Sequence, residues 1–169
     1  MPDRFLLARA LSCGALVVAI GVTIASPPRP RLVWNASASA PVGLWRVAPE
    51  APLHRGDMVV AKLADPWRGF AAQRHYLPSN VPLIKRVSAV PGDRVCAAGD
   101  IVRINDRIAA IRHQVDRAGR SMPGWRGCHI LRRDEVMLLM DAESSFDGRY
   151  FGPTRSGDII GKATPLWPR

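Results

Sequence analysis

An apolar run without charge opens the chain. Arg4 and Arg9 precede it, and residues 10–25 contain no charged side chain. Counted from Phe5, with the Arg9 side chain extended toward a polar surface, the run is just long enough to span a bilayer at ~1.5 Å per residue. The pattern predicts a membrane-anchoring helix over residues 1–26.

A cleavable signal peptide is the main alternative for this run. Residues 23–25 form a tolerable small-x-small cleavage site. A buried helix of a soluble protein is disfavoured by the position at the extreme N-terminus and by the Pro-rich exit at residues 26–30. Arginines on the two sides of the run balance, so charge bias leaves only the amino terminus to favour a cytosolic start.

Beyond a linker over residues 27–34, the pattern changes to short apolar runs separated by Gly, Pro and Asp, with no sustained helical period. This predicts a mainly β, antiparallel domain over residues 35–169. Residues 136–140 are apolar throughout and predict a central strand, Asn105-Asp106 predicts a hairpin tip, and residues 65–80 predict an irregular excursion. The predicted strands are residues 44–47, 58–63, 83–90, 101–104, 107–111, 136–140 and 159–166.

Composition supports one globular domain, with 47% apolar and 22% charged residues in a chain of 169. The formal charge of +10 is compatible with nucleic acid, anionic lipid or an acidic protein as partner. The arginines are scattered singly without interleaved aromatics, so we predict no nucleic-acid binding. Histidine and cysteine spacings fit no metal motif, so we predict no metal and no cofactor.

Two of the three cysteines, Cys96 and Cys128, lie in the predicted β domain, whereas Cys13 lies in the apolar run. If the domain is outside the cytosol, a Cys96–Cys128 bridge would stabilise it by roughly 3 to 4 kcal/mol in the chain-entropy model. Free thiols would instead indicate the cytosol. We favour the bridge.

The first candidate chemical group lies in residues 35–45, NASASAPVGLW, where Ser37 and Ser39 stand two residues apart. Pro41 fixes its own φ angle and Gly43 permits a turn, so Ser39 would be held on a stiff, irregular backbone. A catalytic serine needs such a position, although a plain linker has the same composition.

Lys85 is the candidate base, because nothing in the sequence suggests a Ser-His-Asp set. It lies in the β-like run 83–87, where Lys85 and Arg86 should face opposite sides of the sheet. A lysine base must be neutral near pH 7, which requires its pKa to fall by roughly 2 to 4 units through desolvation. The alternative is that Lys85 extends to solvent.

Residues 144–153 follow the apolar strand and form a candidate supporting loop. Ser145 could hold the lysine amine by a hydrogen bond, and Asp147 could pair with Arg149 or Arg86. A generic β-turn with a surface ion pair is the alternative.

Taken in order, these stretches resemble the type I signal peptidases, and more closely their TraF-type branch of conjugative-transfer peptidases. The resemblance covers nearly the whole chain. Its motifs are residues 37–45, 56–60, 85–93 and 145–152.

The resemblance implies an antiparallel signal-peptidase-like fold in which Ser39 is the nucleophile and Lys85 the general base. It also implies that Ser37 and the Ser39 backbone N–H form the oxyanion hole and that Ser145 orients the lysine. Housekeeping members have Met after the nucleophile and Pro three positions on, whereas this chain has Ala40 and Pro41. Gly148 also replaces a serine common in that branch. We take these departures, which agree with the TraF-type pattern S-x-P-x-G-L-[YW], to indicate a different substrate class and not a loss of activity.

The implied function is a membrane-anchored serine endopeptidase with its catalytic domain outside the inner membrane. Its implied substrates are pilin-like or signal-peptide-bearing protein precursors, cut after a small residue. The alternatives are a general signal peptidase and a non-catalytic periplasmic assembly factor. Retention of Ser37, Ser39, Lys85 and Ser145 together argues against the second alternative.

Overall fold

The computed structural model describes residues 3–25 and 30–168, which fall into two units, residues 1–30 and residues 31–169. The first unit contains helix α1, Asp3–Ala25. Its segment Arg4–Ala25 has the length and hydropathy of either a membrane anchor or a signal sequence. Residues 26–29, which include most of the predicted Pro-rich exit, lie outside the described residues.

The second unit is built on two antiparallel sheets. Its strands are β1 (Leu32–Asn35), β2 (Gly43–Ala48), β3 (Met58–Ala61), β4 (Leu83–Ala89), β5 (Arg94–Ala98), β6 (Ile101–Ile104), β7 (Arg107–Ile111), β8 (Gly127–Ile130), β9 (Glu135–Leu139), β10 (Thr154–Arg155) and β11 (Ile159–Pro168). The larger sheet has the order β1-β2-β11-β3-β4-β9-β10, and the smaller has the order β7-β6-β5-β8. The predicted mainly β, antiparallel architecture is confirmed.

Strand β9 is second from one end of the larger sheet and pairs with β4 on one side and β10 on the other, so it is an interior strand. Its apolar sequence reflects burial on both faces. Met137 and Leu139 pack with residues of the smaller sheet, whereas Val136 and Leu138 pack in a second core with residues of β3 and β4. Because residues 136–139 of β9 are buried on both faces of the sheet, all four are apolar.

The structure differs from the prediction in three respects. Strand β1 begins at Leu32 and pairs with β2, so the predicted linker is shorter at its C-terminal end. Strands β5 and β8 were not predicted at all. Residues 65–80, predicted to be irregular, contain the short helix α2, Trp67–Gln73. The hairpin tip is confirmed, because Asn105 and Asp106 both have positive φ angles, 47° and 67°.

The smaller sheet carries the disulfide. Cys96 on β5 and Cys128 on β8 are register partners, and their sulfur atoms are bonded. Strand β8 is an edge strand that pairs only with β5 within the described sheet. The predicted bridge therefore fastens one edge of this sheet, and Cys13 is a free, exposed cysteine on α1.

Candidate active site

The loop between β1 and β2 carries Ser37 and Ser39, and Asn35 holds it in shape. The buried Asn35 side-chain amide donates to the carbonyl oxygens of Ser37, Ala40 and Pro41 at 2.9 to 3.0 Å, and its own oxygen accepts the Ser37 N–H at 3.1 Å. This role was missed at the level of sequence. The one available signal is an Asn at a strand end directly before the serine loop.

Ser37 and Ser39 contact each other. Their hydroxyl oxygens are 3.1 Å apart, and the Ser39 N–H donates to the Ser37 hydroxyl oxygen at 3.4 Å. The two donors that the resemblance assigns to an oxyanion hole are therefore adjacent.

Lys85 lies on β4 with its side chain in the interior, 3% exposed. Its amine contacts the Ser39 hydroxyl at 2.9 Å and the Ser145 hydroxyl at 2.8 Å. The next residue, Arg86, faces the other way and pairs with the exposed Asp141 at 2.8 Å. The structure thus brings together three of the predicted site residues, Ser39, Lys85 and Ser145, although Lys85 is 46 positions from Ser39 and 60 from Ser145 in the sequence.

Burial lowers the pKa of Lys85 from 10.5 to about 8, and it is the largest of three causes. The negative charge of Asp147 raises this pKa and the positive charge of Arg149 lowers it, so the two neighbouring charges oppose each other. With a pKa near 8, about a tenth of the Lys85 side chains are neutral at pH 7. A neutral amine at hydrogen-bond distance from a hydroxyl can accept its proton.

The supporting loop contains a buried ion pair. Asp147 is 0% exposed and Arg149 2%, and the Arg149 Nε atom donates to the Asp147 carboxylate at 2.8 Å. Arg149 also donates to the carbonyl oxygens of Met140 and Glu143, at 2.6 and 3.0 Å. Of the two partners predicted for Asp147, the structure selects Arg149, and Arg86 belongs to a separate surface pair.

Gly148, where the resemblance has a serine, is closely packed against β9. A Cβ atom at this position would lie 2.8 Å from the Leu138 carbonyl oxygen and 3.0 Å from the Met137 sulfur. A serine would force β9 or this loop to shift. Glycine, which has no Cβ atom, therefore fits this closely packed position where a serine would not.

Ser39 lies where two depressions meet. One is a cleft of about 990 Å³ lined by Ser37, Lys85 and mostly apolar residues such as Val33 and Leu83. The other is a shallower groove of about 410 Å³ that shares Ser39 with the cleft. An extended peptide can cross Ser39 with one part in each depression. Among the described residues, no group of three or more His, Cys, Asp or Glu side chains is placed to hold a metal.

The chain is similar to several known proteins. The family model described as signal peptidase, peptidase S26, matches residues 4–167. Plasmid transfer protein TraF of Escherichia coli is 33% identical over 138 residues, 74% of this chain and 76% of that protein. Conjugal transfer protein TraF of Agrobacterium fabrum is 33% identical over 144 residues, 79% of this chain and 80% of that protein. A signal peptidase I of Enterococcus faecalis is 17% identical, with a TM-score of 0.39 over 68% of this chain and 98% of that chain.

The family match extends from α1 to the last strand, and relatives at one-third identity span three-quarters or more of the chain. The residues matched by the family model include the serine loop, the lysine strand and the loop with the buried ion pair. The chain therefore belongs to the signal peptidase family, peptidase S26, and has TraF conjugal transfer proteins among its relatives.

Proposed function

We propose that the protein is a membrane-anchored serine endopeptidase in which Ser39 is the nucleophile and Lys85 the general base. One observation carries the proposal: the buried Lys85 amine lies between the hydroxyls of Ser39 and Ser145, 2.9 and 2.8 Å away. Ser145 fixes the amine from behind, so that its free electron pair can be directed at Ser39.

In the proposed reaction, the Ser39 oxygen attacks the scissile carbonyl carbon while the neutral Lys85 amine takes the hydroxyl proton. The Ser37 hydroxyl and the Ser39 N–H donate to the oxygen that becomes negative. The C–N bond then breaks, and Lys85 returns the proton to the leaving amine. Water, deprotonated by the same amine, hydrolyses the acyl ester and regenerates the Ser39 hydroxyl.

The proposed substrates are protein precursors of a conjugative-transfer apparatus, pilin-like or bearing a signal segment. The names of the TraF relatives refer to plasmid and conjugal transfer, and the cleft beside Ser39 is mostly apolar, which suits an apolar precursor segment. We place the catalytic domain on the extracytoplasmic side of the inner membrane. The Cys96–Cys128 disulfide supports this, because such bonds persist in oxidising compartments.

The test is cleavage by the purified full-length protein in detergent. A pilin-like precursor and an unrelated precursor with an ordinary signal peptide are each incubated with it, and product ends are read by mass spectrometry. We expect one cut after a small residue in the pilin-like precursor, lost in Ser39→Ala and Lys85→Arg, because arginine keeps the charge but cannot act as a base. Equal cleavage of both precursors would indicate a general signal peptidase. Failure to cut either would favour the non-catalytic assembly role.

A reporter fused after residue 169 tests the location separately. We expect reporter activity outside the cytosol. Activity in the cytosol would contradict the proposed membrane orientation.

A further inference from the structure

The loop that carries Ser145 is held from outside by the connection between β7 and β8. Three contacts join the two segments. The Trp125 indole N–H donates to the Gly148 carbonyl at 3.0 Å, the His113 N–H donates to the Tyr150 hydroxyl at 3.1 Å, and the Arg112 guanidinium donates to the Arg149 carbonyl at 3.5 Å. These contacts bind backbone and side chain of residues 148–150, directly beside Asp147.

Arg112 is 7% exposed, and the partners of its guanidinium in the described part of the chain are backbone carbonyl oxygens and no carboxylate. Its guanidinium donates instead to backbone carbonyls, those of Trp125 at 2.9 Å and of Gly99 as well as that of Arg149. Gly124 makes this possible, because a Cβ atom there would lie 2.4 Å from the Arg112 Nη1 atom. A buried charge held only by carbonyl dipoles is costly, so the position of these carbonyls matters to the fold.

Trp125 connects the same loop to the core. Its ring packs against the buried cluster that the smaller sheet shares with β9. It also lies against Gly152, where a Cβ atom would be 3.6 Å from the ring. The Trp125 indole therefore contacts the chain at both ends of the short helix α3, Gly148–Phe151.

We propose that Trp125 and Arg112 are positioning residues of the peptidase, which hold residues 148–150 so that Ser145 stays against the Lys85 amine. The inference rests on the proposed function for its effect on turnover. Neither residue touches the dyad, so both act through the loop.

The effect of loosening this loop follows from the groups that face the Lys85 amine. Ser39 and Ser145 contact it, and Asp147 and Arg149 act on it through their charges. Three of these four groups belong to the loop that Trp125 and Arg112 hold. A loosened loop withdraws Ser145 and admits water, which favours the protonated amine. Activity is then lost most at neutral pH and recovered as the pH rises.

Trp125→Phe tests this, because it keeps an aromatic ring but removes the N–H donor. We expect kcat of the full-length protein at pH 7 to fall about 5- to 10-fold, the effect of one lost hydrogen bond to the loop. KM should stay within about twofold, and the acid limb of the pH profile should move upward. Trp167→Phe, which changes an exposed tryptophan at the end of β11, should leave kcat, KM and the acid limb unchanged.

A second readout is independent of turnover. The chain has three lysines, Lys62, Lys85 and Lys162, so ¹³C-lysine labelling gives three side-chain signals to follow by NMR against pH. Trp125→Phe should raise the pKa of Lys85 alone. An unchanged Lys85 titration would overturn the inference, whether or not any precursor is cut. If the titration shifts but the wild-type protein cleaves nothing, the proposed function fails and the positioning role stands. A loss of kcat that is equal at every pH would reduce Trp125 to a structural residue and also overturn the inference.

Discussion

Asp147→Asn should destabilise the protein by about 3–5 kcal/mol, the cost of removing one partner from a buried ion pair. The Asp147 carboxylate accepts four hydrogen bonds, from the Arg149 N–H, Nε and Nη2 groups and from the Met140 N–H, at 2.8 to 3.1 Å. Asparagine is isosteric but neutral, and its NH₂ group must face one of these donors. The buried Arg149 guanidinium then has only neutral carbonyl oxygens as partners, and no negative charge offsets its own.

The assay is chemical denaturation of the full-length protein in detergent, monitored by tryptophan fluorescence. The free energies of unfolding are compared between variants that have the same m value. Asp141→Asn is the matched control, because Asp141 makes the same type of pair with Arg86 but its side chain is 80% exposed. We expect the control to cost at most about 1 kcal/mol. If Asp147→Asn cost no more than Asp141→Asn, the reasoning that places a stabilising, fully buried pair beside the site would be refuted.

Two further predictions concern the disulfide and the oxyanion donors. Cys96→Ser combined with Cys128→Ser should lower the free energy of unfolding by about 4 kcal/mol, given the sequence separation of 32 residues between the cysteines. Cys13→Ser should change it little, and a double variant as stable as wild type would contradict the prediction. Ser37→Ala should lower kcat about 100- to 1,000-fold, because one donor to the developing oxyanion is lost. A fall of less than tenfold would exclude Ser37 from that role.

The sequence predicts most strands of the larger sheet because their apolar runs are bounded by Gly, Pro or Asp. Strand β4 is an example, with its end marked by Pro91-Gly92-Asp93. Strands β5 and β8 escape prediction because they are runs of only five and four residues, β5 beginning with the exposed Arg94 and β8 being exposed at three of its four positions. Their pairing joins residues 32 positions apart, and local periodicity carries no information on such non-local pairing.

The candidate site also has features that the sequence predicts and features that it does not. Alternation along β4 predicts that Lys85 and Arg86 point to opposite faces, as they do. The residues alone make Ser39, Lys85 and Ser145 candidates and leave non-catalytic alternatives open, and the family resemblance is what assigns them to one site. The supports escaped both lines of reasoning. The Asn35 amide donates to three backbone carbonyl oxygens and the Trp125 indole to one, and such bonds leave no motif in the sequence.

In the proposed mechanism burial makes the Lys85 amine a base for Ser39, and the pH dependence of kcat/KM for cleavage of a precursor measures this. The ratio reports the pKa of the essential base in the free enzyme. Because the neutral amine is the active form and its pKa is lowered to about 8, kcat/KM should rise about tenfold per pH unit below pH 8 and level off above it. A profile that is flat between about pH 6 and pH 9 would contradict the Ser-Lys mechanism.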